Sequence, residues 1–153
     1  MILKIPRWYF TVLAGLLILA GLYAASLYSY LLFHSIAEIF SIIVAFGIFI
    51  IAWNSRRFID NNYLVFIGIA YFFVGAVDLI HTLAYTGMGV FPEYGTNLAA
   101  QLWIVARYAE SLSLLIAPIL IGRRLHVKTA FVLYGMAVVF LLLSIFYCQI
   151  TNL

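Results

Sequence analysis

The sequence predicts an all-α, polytopic membrane protein: a helical bundle of about five transmembrane helices with a cytoplasmic N-terminus. Hydrophobic residues make up 67% of the 153 residues and charged residues only 8%, with a mean hydropathy of +1.18. A soluble domain of this size has too little interior to bury so much apolar surface. The apolar residues also form long unbroken runs, unlike the short alternating segments of a transmembrane β-barrel. The placement of basic residues then predicts the orientation.

Each predicted helix rests on an apolar run of about 20 residues, the length that crosses a bilayer. The runs place the helices at residues 8–32, 35–53, 63–85, 99–121 and 129–150. The first run is too long for the apolar region of a signal peptide, which spans about 7–15 residues. Polar or turn-forming segments at 54–57, 60–62, 87–95 and 123–128 separate the later helices. Pro118 is expected to kink the fourth helix, because proline removes a backbone donor.

The basic residues are distributed asymmetrically. Seven of the eight lysines and arginines fall at one set of helix ends: Lys4, Arg7, Arg56, Arg57, Arg123, Arg124 and Lys128. The positive-inside rule therefore predicts a cytoplasmic N-terminus and, after five crossings, a C-terminus outside. We expect no nucleic-acid partner, because these residues are split among short loops and form no basic stripe.

Several polar side chains lie in the outer halves of the predicted helices or, for His34, directly before the second of them. They are His34, Glu38, Asp78, His81, Gln101, Arg107 and Glu110. An ionisable side chain inside a bilayer costs about 2.5–3.5 kcal/mol on insertion scales, so such residues usually face partners or a ligand. The spacings of three or four within each helix put the members of each pair on one face. We interpret the seven residues as a ligand-binding site that opens outward.

The charges of this group suggest what it binds. With neutral histidines, three carboxylates and one guanidinium leave two net negative charges, which a low-dielectric site tolerates only with protons or a cation. His34, Glu38, Asp78 and His81 form a donor set that suits zinc, iron or copper, and Met88 is a further soft donor for copper. His34 and His81 also fit the two axial positions of haem b. A purely structural network that holds three helices in register remains the alternative.

No motif points to catalysis. The sequence contains neither a nucleophile paired with a base nor a glycine-rich phosphate loop, so we expect no enzyme activity.

Three segments together resemble a known family. They are His34-Ser-Ile-Ala-Glu38, Asp78-Leu-Ile-His-Thr-Leu-Ala-Tyr85 and Gln101-Leu-Trp-Ile-Val-Ala-Arg-Tyr-Ala-Glu110. Residues 34–118 resemble the third type of bacterial membrane-associated sensor domain. The resemblance implies a sensory input module of the bacterial inner membrane that precedes a cytoplasmic output domain, such as a histidine kinase or diguanylate cyclase.

The expected function is therefore detection of a small ligand, metal ion or protons, with the signal passed to an output domain in the same or another chain. The bilayer is the first partner, and a homodimer is left open. The alternative is a haem- or metal-binding redox membrane protein. Family members continue through further membrane helices, so residues 1–153 are expected to form a single sensor domain that is incomplete at its C-terminal end.

Overall fold

The computed structural model describes residues 7–58 and 61–151, and five α-helices form almost all of this part of the chain. They are α1 (Arg7–Tyr28), α2 (Tyr30–Ser55), α3 (Asn62–Ala84), α4 (Gly95–Ile116) and α5 (Val127–Thr151). All five are long and apolar enough to cross a membrane. The predicted all-α polytopic class is confirmed.

The boundary between α1 and α2 lies earlier in the chain than predicted. The break falls at Ser29 rather than at residues 33–34, and the Ser29 hydroxyl accepts a hydrogen bond from the Leu32 N–H at 3.3 Å. This is the contact by which serine caps a helix N-terminus. Apolar residues continue on both sides of Ser29, so hydropathy alone does not locate the break. His34 and Glu38 consequently lie inside α2 and not at its beginning.

Pro118 lies outside the α-helix that was predicted to contain it. The α-helix ends at Ile116, and residues Ala117–Leu120 form a 3₁₀ turn that contains the proline. Proline lacks the N–H that a continuing α-helix requires, and it fits the beginning of a tight turn. The chain therefore changes from an α-helix to a 3₁₀ turn at the proline.

The chain divides into two compact units, residues 1–37 and 38–153. The first contains α1 and the beginning of α2, and none of the side chains described between residues 8 and 37 is fully buried. Most of these side chains are apolar, which suits contact with lipid.

The second unit has its core between α3, α4 and α5. Val74 and Val77 of α3 pack there with Leu98 and Leu102 of α4 and with Val138 of α5.

Within the same unit, the 38–55 part of α2 packs closely against α3 through small residues. A Cβ added at Gly68 would collide with the Cβ of Ala52, and one added at Gly75 would lie 3.1 Å from the Cβ of Ala45. Small residues allow such close approach of helices in membranes. Asp78 follows Gly75 by one turn, so this contact holds the polar part of α3 beside α2.

Candidate functional site

The centre of the candidate site is an ion pair between α3 and α4. Asp78 is 2% exposed, and its Oδ2 pairs with Nη2 of Arg107. Nη1 of Arg107 donates to Oε2 of Glu110 at 2.6 Å. Arg107 thus joins an acid on a neighbouring helix as well as Glu110 on its own.

Tyr71 is a member that sequence reasoning missed. Its hydroxyl donates to Oε1 of Glu110 at 3.0 Å. Tyr71 precedes Asp78 by seven residues, about two helical turns, so the two share a face of α3. That spacing was a usable signal, but a tyrosine among many aromatic residues does not stand out.

His81 is oriented by the backbone of α4. The ring is buried, and its Nδ1 lies 2.8 Å from the carbonyl oxygen of Ala99. A carbonyl only accepts, so Nδ1 carries the hydrogen and donates it. In the neutral ring the lone pair is then on Nε2, the atom that binds metals in this tautomer. Histidines that bind metals are usually oriented by a hydrogen bond of this kind.

Glu38 brings α2 into the same region. One of its carboxylate oxygens lies within 4.8 Å of a ring nitrogen of His81. Glu38 also interacts electrostatically with Asp78 and with Arg107. The second unit therefore gathers an ionic cluster from three helices, consisting of Glu38, Asp78, His81, Arg107 and Glu110.

The two other predicted members are placed differently. His34 belongs to the first unit, where its half-buried ring stacks on Tyr30 with centroids 6.3 Å apart. The side-chain oxygen of Gln101 accepts a hydrogen bond from Nε2 of Gln149 on α5 at 3.0 Å. Gln101 lies about 120° around α4 from Arg107, which explains why it meets another helix.

The ionic cluster is not fully satisfied by the residues that the structure describes. Among them, the buried atoms Oδ1 of Asp78 and Nε of Arg107 have no hydrogen-bond partner. A buried polar atom left unpaired costs about 1–3 kcal/mol. Three carboxylates against one guanidinium also leave two net negative charges when His81 is neutral. A proton or a cation at Asp78 would satisfy its Oδ1 and reduce the negative charge, whereas the Nε–H of Arg107 is a donor and needs an acceptor.

An open cavity of about 540 Å³ leads to His81 from the loop that follows α3. Tyr85 and Trp103 supply aromatic walls, and Thr86 and Thr96 supply hydroxyl groups near the loop. A mostly apolar cavity with a few polar groups is typical of small-ligand sites. Of the ionic cluster, His81 is the member that borders this cavity.

Five helices that can span a bilayer and a buried ionic cluster define a polytopic membrane protein with a candidate ligand site. The family model of MASE3, the membrane-associated sensor domain, matches residues 25–152, and the chain belongs to this family. No curated protein and no solved structure matches the chain significantly. The protein is therefore a sensory module of a membrane, with the bacterial inner membrane as its expected location.

Proposed function

We propose that this module senses a divalent metal ion or protons at the ionic cluster and passes the signal to a cytoplasmic output domain. The observation that supports this proposal is the buried Oδ1 of Asp78, which has no hydrogen-bond partner among the described residues. The cluster around it has an excess of negative charge. Binding of a cation or proton relieves repulsion between carboxylates on α2 and α3. That relief favours a shift of α3 or α4 relative to the 38–55 part of α2.

Donor spacing supports the metal form of the proposal. Zinc holds nitrogen and oxygen ligands at about 2.0–2.2 Å, so two donors on one ion lie up to about 4 Å apart. The Glu38 oxygen and the His81 nitrogen, within 4.8 Å of each other, need only a small side-chain adjustment to reach that spacing. We propose Oδ1 of Asp78 as a third donor, which has to move toward the ion, because Asp78 is not among the residues whose donor atoms lie within 4.8 Å of one another. His34 is proposed as a further donor on the sequence spacing alone, because it precedes Glu38 by one helical turn.

Haem is the second candidate ligand, as in the redox alternative. The hydrogen bond from His81 Nδ1 to the Ala99 carbonyl favours it, since axial histidines are oriented in the same way. A visible absorption spectrum of purified protein distinguishes the two candidates. A Soret band lost in His81→Ala would assign haem.

Melting temperatures in mild detergent test the main proposal. Zinc, iron and copper are each added at about pH 7.5 and about pH 5.5, on either side of about 6.5, the ordinary pKa of imidazole. Metal at about 100 times its Kd should raise the wild-type melting temperature by about 5 °C or more at the higher pH. The shift should shrink at the lower pH, because protons compete for the donor atoms.

The variants locate the effect. His81→Ala, Glu38→Gln and His34→Ala should each weaken the metal shift, whereas Gln101→Ala, at a site bonded to α5, should keep it. If acid stabilises the wild type and no metal does, protons are the signal. Wild-type responses to metal and to acid in both His81→Ala and Glu38→Gln would refute sensing by this cluster.

The orientation is part of the proposal, because it decides which side the loop after α3 faces. Glu93 and Arg124 are both exposed and belong to loops at opposite helix ends. In a Cys148→Ser background, we expect Glu93→Cys to react with an impermeant thiol reagent added to intact cells, and Arg124→Cys to be protected. The reverse pattern would place that loop in the cytoplasm.

The output partner is proposed from the family resemblance alone. It is a histidine kinase or diguanylate cyclase domain, in the same or a separate polypeptide, and whether the modules form a homodimer is left open.

A further inference from the structure

The turn between α2 and α3 borders a second cavity, of about 190 Å³. Its walls are apolar, with three polar residues: Ser55, Arg56 and Asn61. The apolar lining comes from α2 and α3: Ile48, Ile51, Ala52, Leu64, Val65 and Ile67. The cavity therefore combines an apolar interior with a positively charged side chain, that of Arg56.

Arg56 is held in place at this cavity. Its guanidinium carbon lies 3.9 Å from the centroid of the Trp53 ring, and its Nη1 donates to the Trp53 carbonyl. A guanidinium has five N–H donors. Among the described residues only the Trp53 carbonyl accepts from this guanidinium, so most of its donors can serve an anion, and their fork geometry matches a phosphate.

Further positive charge lies at the same end of the second unit. The side chain of Asn62 donates to the carbonyl of Arg123, which fixes the loop after the 3₁₀ turn beside the beginning of α3. Arg57, Arg123 and Arg124 are exposed. Segments 54–62 and 122–128 contain five lysines and arginines against one acid, Asp60, which lies outside the described residues.

We propose that this cavity binds an anionic phospholipid, with part of an acyl chain between α2 and α3 and the phosphate on Arg56. Basic pockets between transmembrane helices bind anionic lipid headgroups, and a neighbouring apolar wall adds affinity for the chain. A zwitterionic lipid offers the same chain without the net negative charge. The site is separate from the ionic cluster and does not depend on what that cluster binds.

Native mass spectrometry of the full chain in mild detergent tests the headgroup part. Dioleoyl phosphatidylglycerol is titrated against dioleoyl phosphatidylcholine, and retained lipid is counted. The wild type should retain the phosphatidylglycerol preferentially, and Arg56→Gln should weaken its binding about tenfold. Lys128→Gln is the control, because Lys128 is exposed and does not line the cavity.

Two neighbouring substitutions test the chain part. Ile51 lines the cavity and Ile50 does not, and both are mostly exposed, so a larger side chain is tolerated at either. Ile51→Trp should fill the cavity and reduce retention of the anionic lipid, while Ile50→Trp should leave it unchanged. Equal effects of Arg56→Gln and Lys128→Gln, or of the two tryptophan variants, would overturn the proposal.

Discussion

Two of the polar contacts that helix α4 makes with its neighbours differ in kind. On one face Arg107 joins Asp78 of α3, and on another Gln101 joins Gln149 of α5. The glutamine pair is neutral, and one amide donates while the other accepts. The arginine contact belongs to a cluster whose charges do not cancel. The arrival of protons or cations changes the free energy of the arginine contact and not that of the glutamine pair. The arginine contact is therefore the one suited to sensing.

The phenylalanine packing between α2, α3 and α5 carries no ionisable charge, like the glutamine pair. Phe131 of α5 packs on Phe72 and Phe73 of α3, with ring centroids 5.6 and 5.1 Å apart. Phe49 of α2 reaches Phe72 at 4.7 Å. Aromatic contacts carry no titratable charge, so this part of the second unit forms a scaffold that does not respond to pH.

The largest expected effect follows from Arg107→Met. It leaves Asp78 without its positive partner, and breaking a buried pair typically costs about 3–5 kcal/mol. We expect the lower end of that range, because 34% of the Arg107 side chain is exposed. Thermal unfolding in detergent measures the change.

A double variant is the control for this prediction. Adding Asp78→Asn to Arg107→Met removes the orphaned charge and should restore most of the lost stability. An unchanged melting temperature in Arg107→Met alone would mean that the ion pair contributes nothing, and the contrast with the glutamine pair would disappear.

A smaller effect is expected from Tyr71→Phe, which removes the hydrogen bond to Glu110. Loss of a hydrogen bond to a charged group costs about 1.5 kcal/mol or less at a half-exposed site. Tyr108→Phe is the matched control, because Tyr108 is 67% exposed and makes no hydrogen bond with its hydroxyl within the described residues. Equal stability losses in the two variants would exclude Tyr71 from the cluster.

The smallest effect concerns the glutamine pair. Gln101→Leu or Gln149→Leu should each cost about 0.6 kcal/mol, the mean for hydrogen bonds between membrane helices. The double leucine variant should recover that loss, because no polar atom remains unpaired. These costs should be the same at low and neutral pH. A pH-dependent cost would show that Gln101 is coupled to the ionic cluster after all.

The amino-acid sequence by itself determined the class of the protein and the polar residues from which a cluster could form. Spanning helices depend on local length and hydropathy, so five were predicted and five are described. The acids and Arg107 stood out because charge is rare in apolar runs. Local signals failed to locate the helix ends at Ser29 and before Pro118, where a helix ends without any loss of apolar character.

Only the tertiary structure decided which of these residues meet. Partner choice depends on how each helix is rotated about its axis, and that rotation is set by packing such as Gly68 against Ala52. The rotations of α3 and α4 turn Gln101 toward α5 and bring Tyr71 to Glu110. The acceptor for His81 is a backbone carbonyl, at Ala99, and every residue has one. A backbone acceptor therefore leaves no mark in the sequence, and the orientation of His81 became visible only once α3 and α4 were packed together.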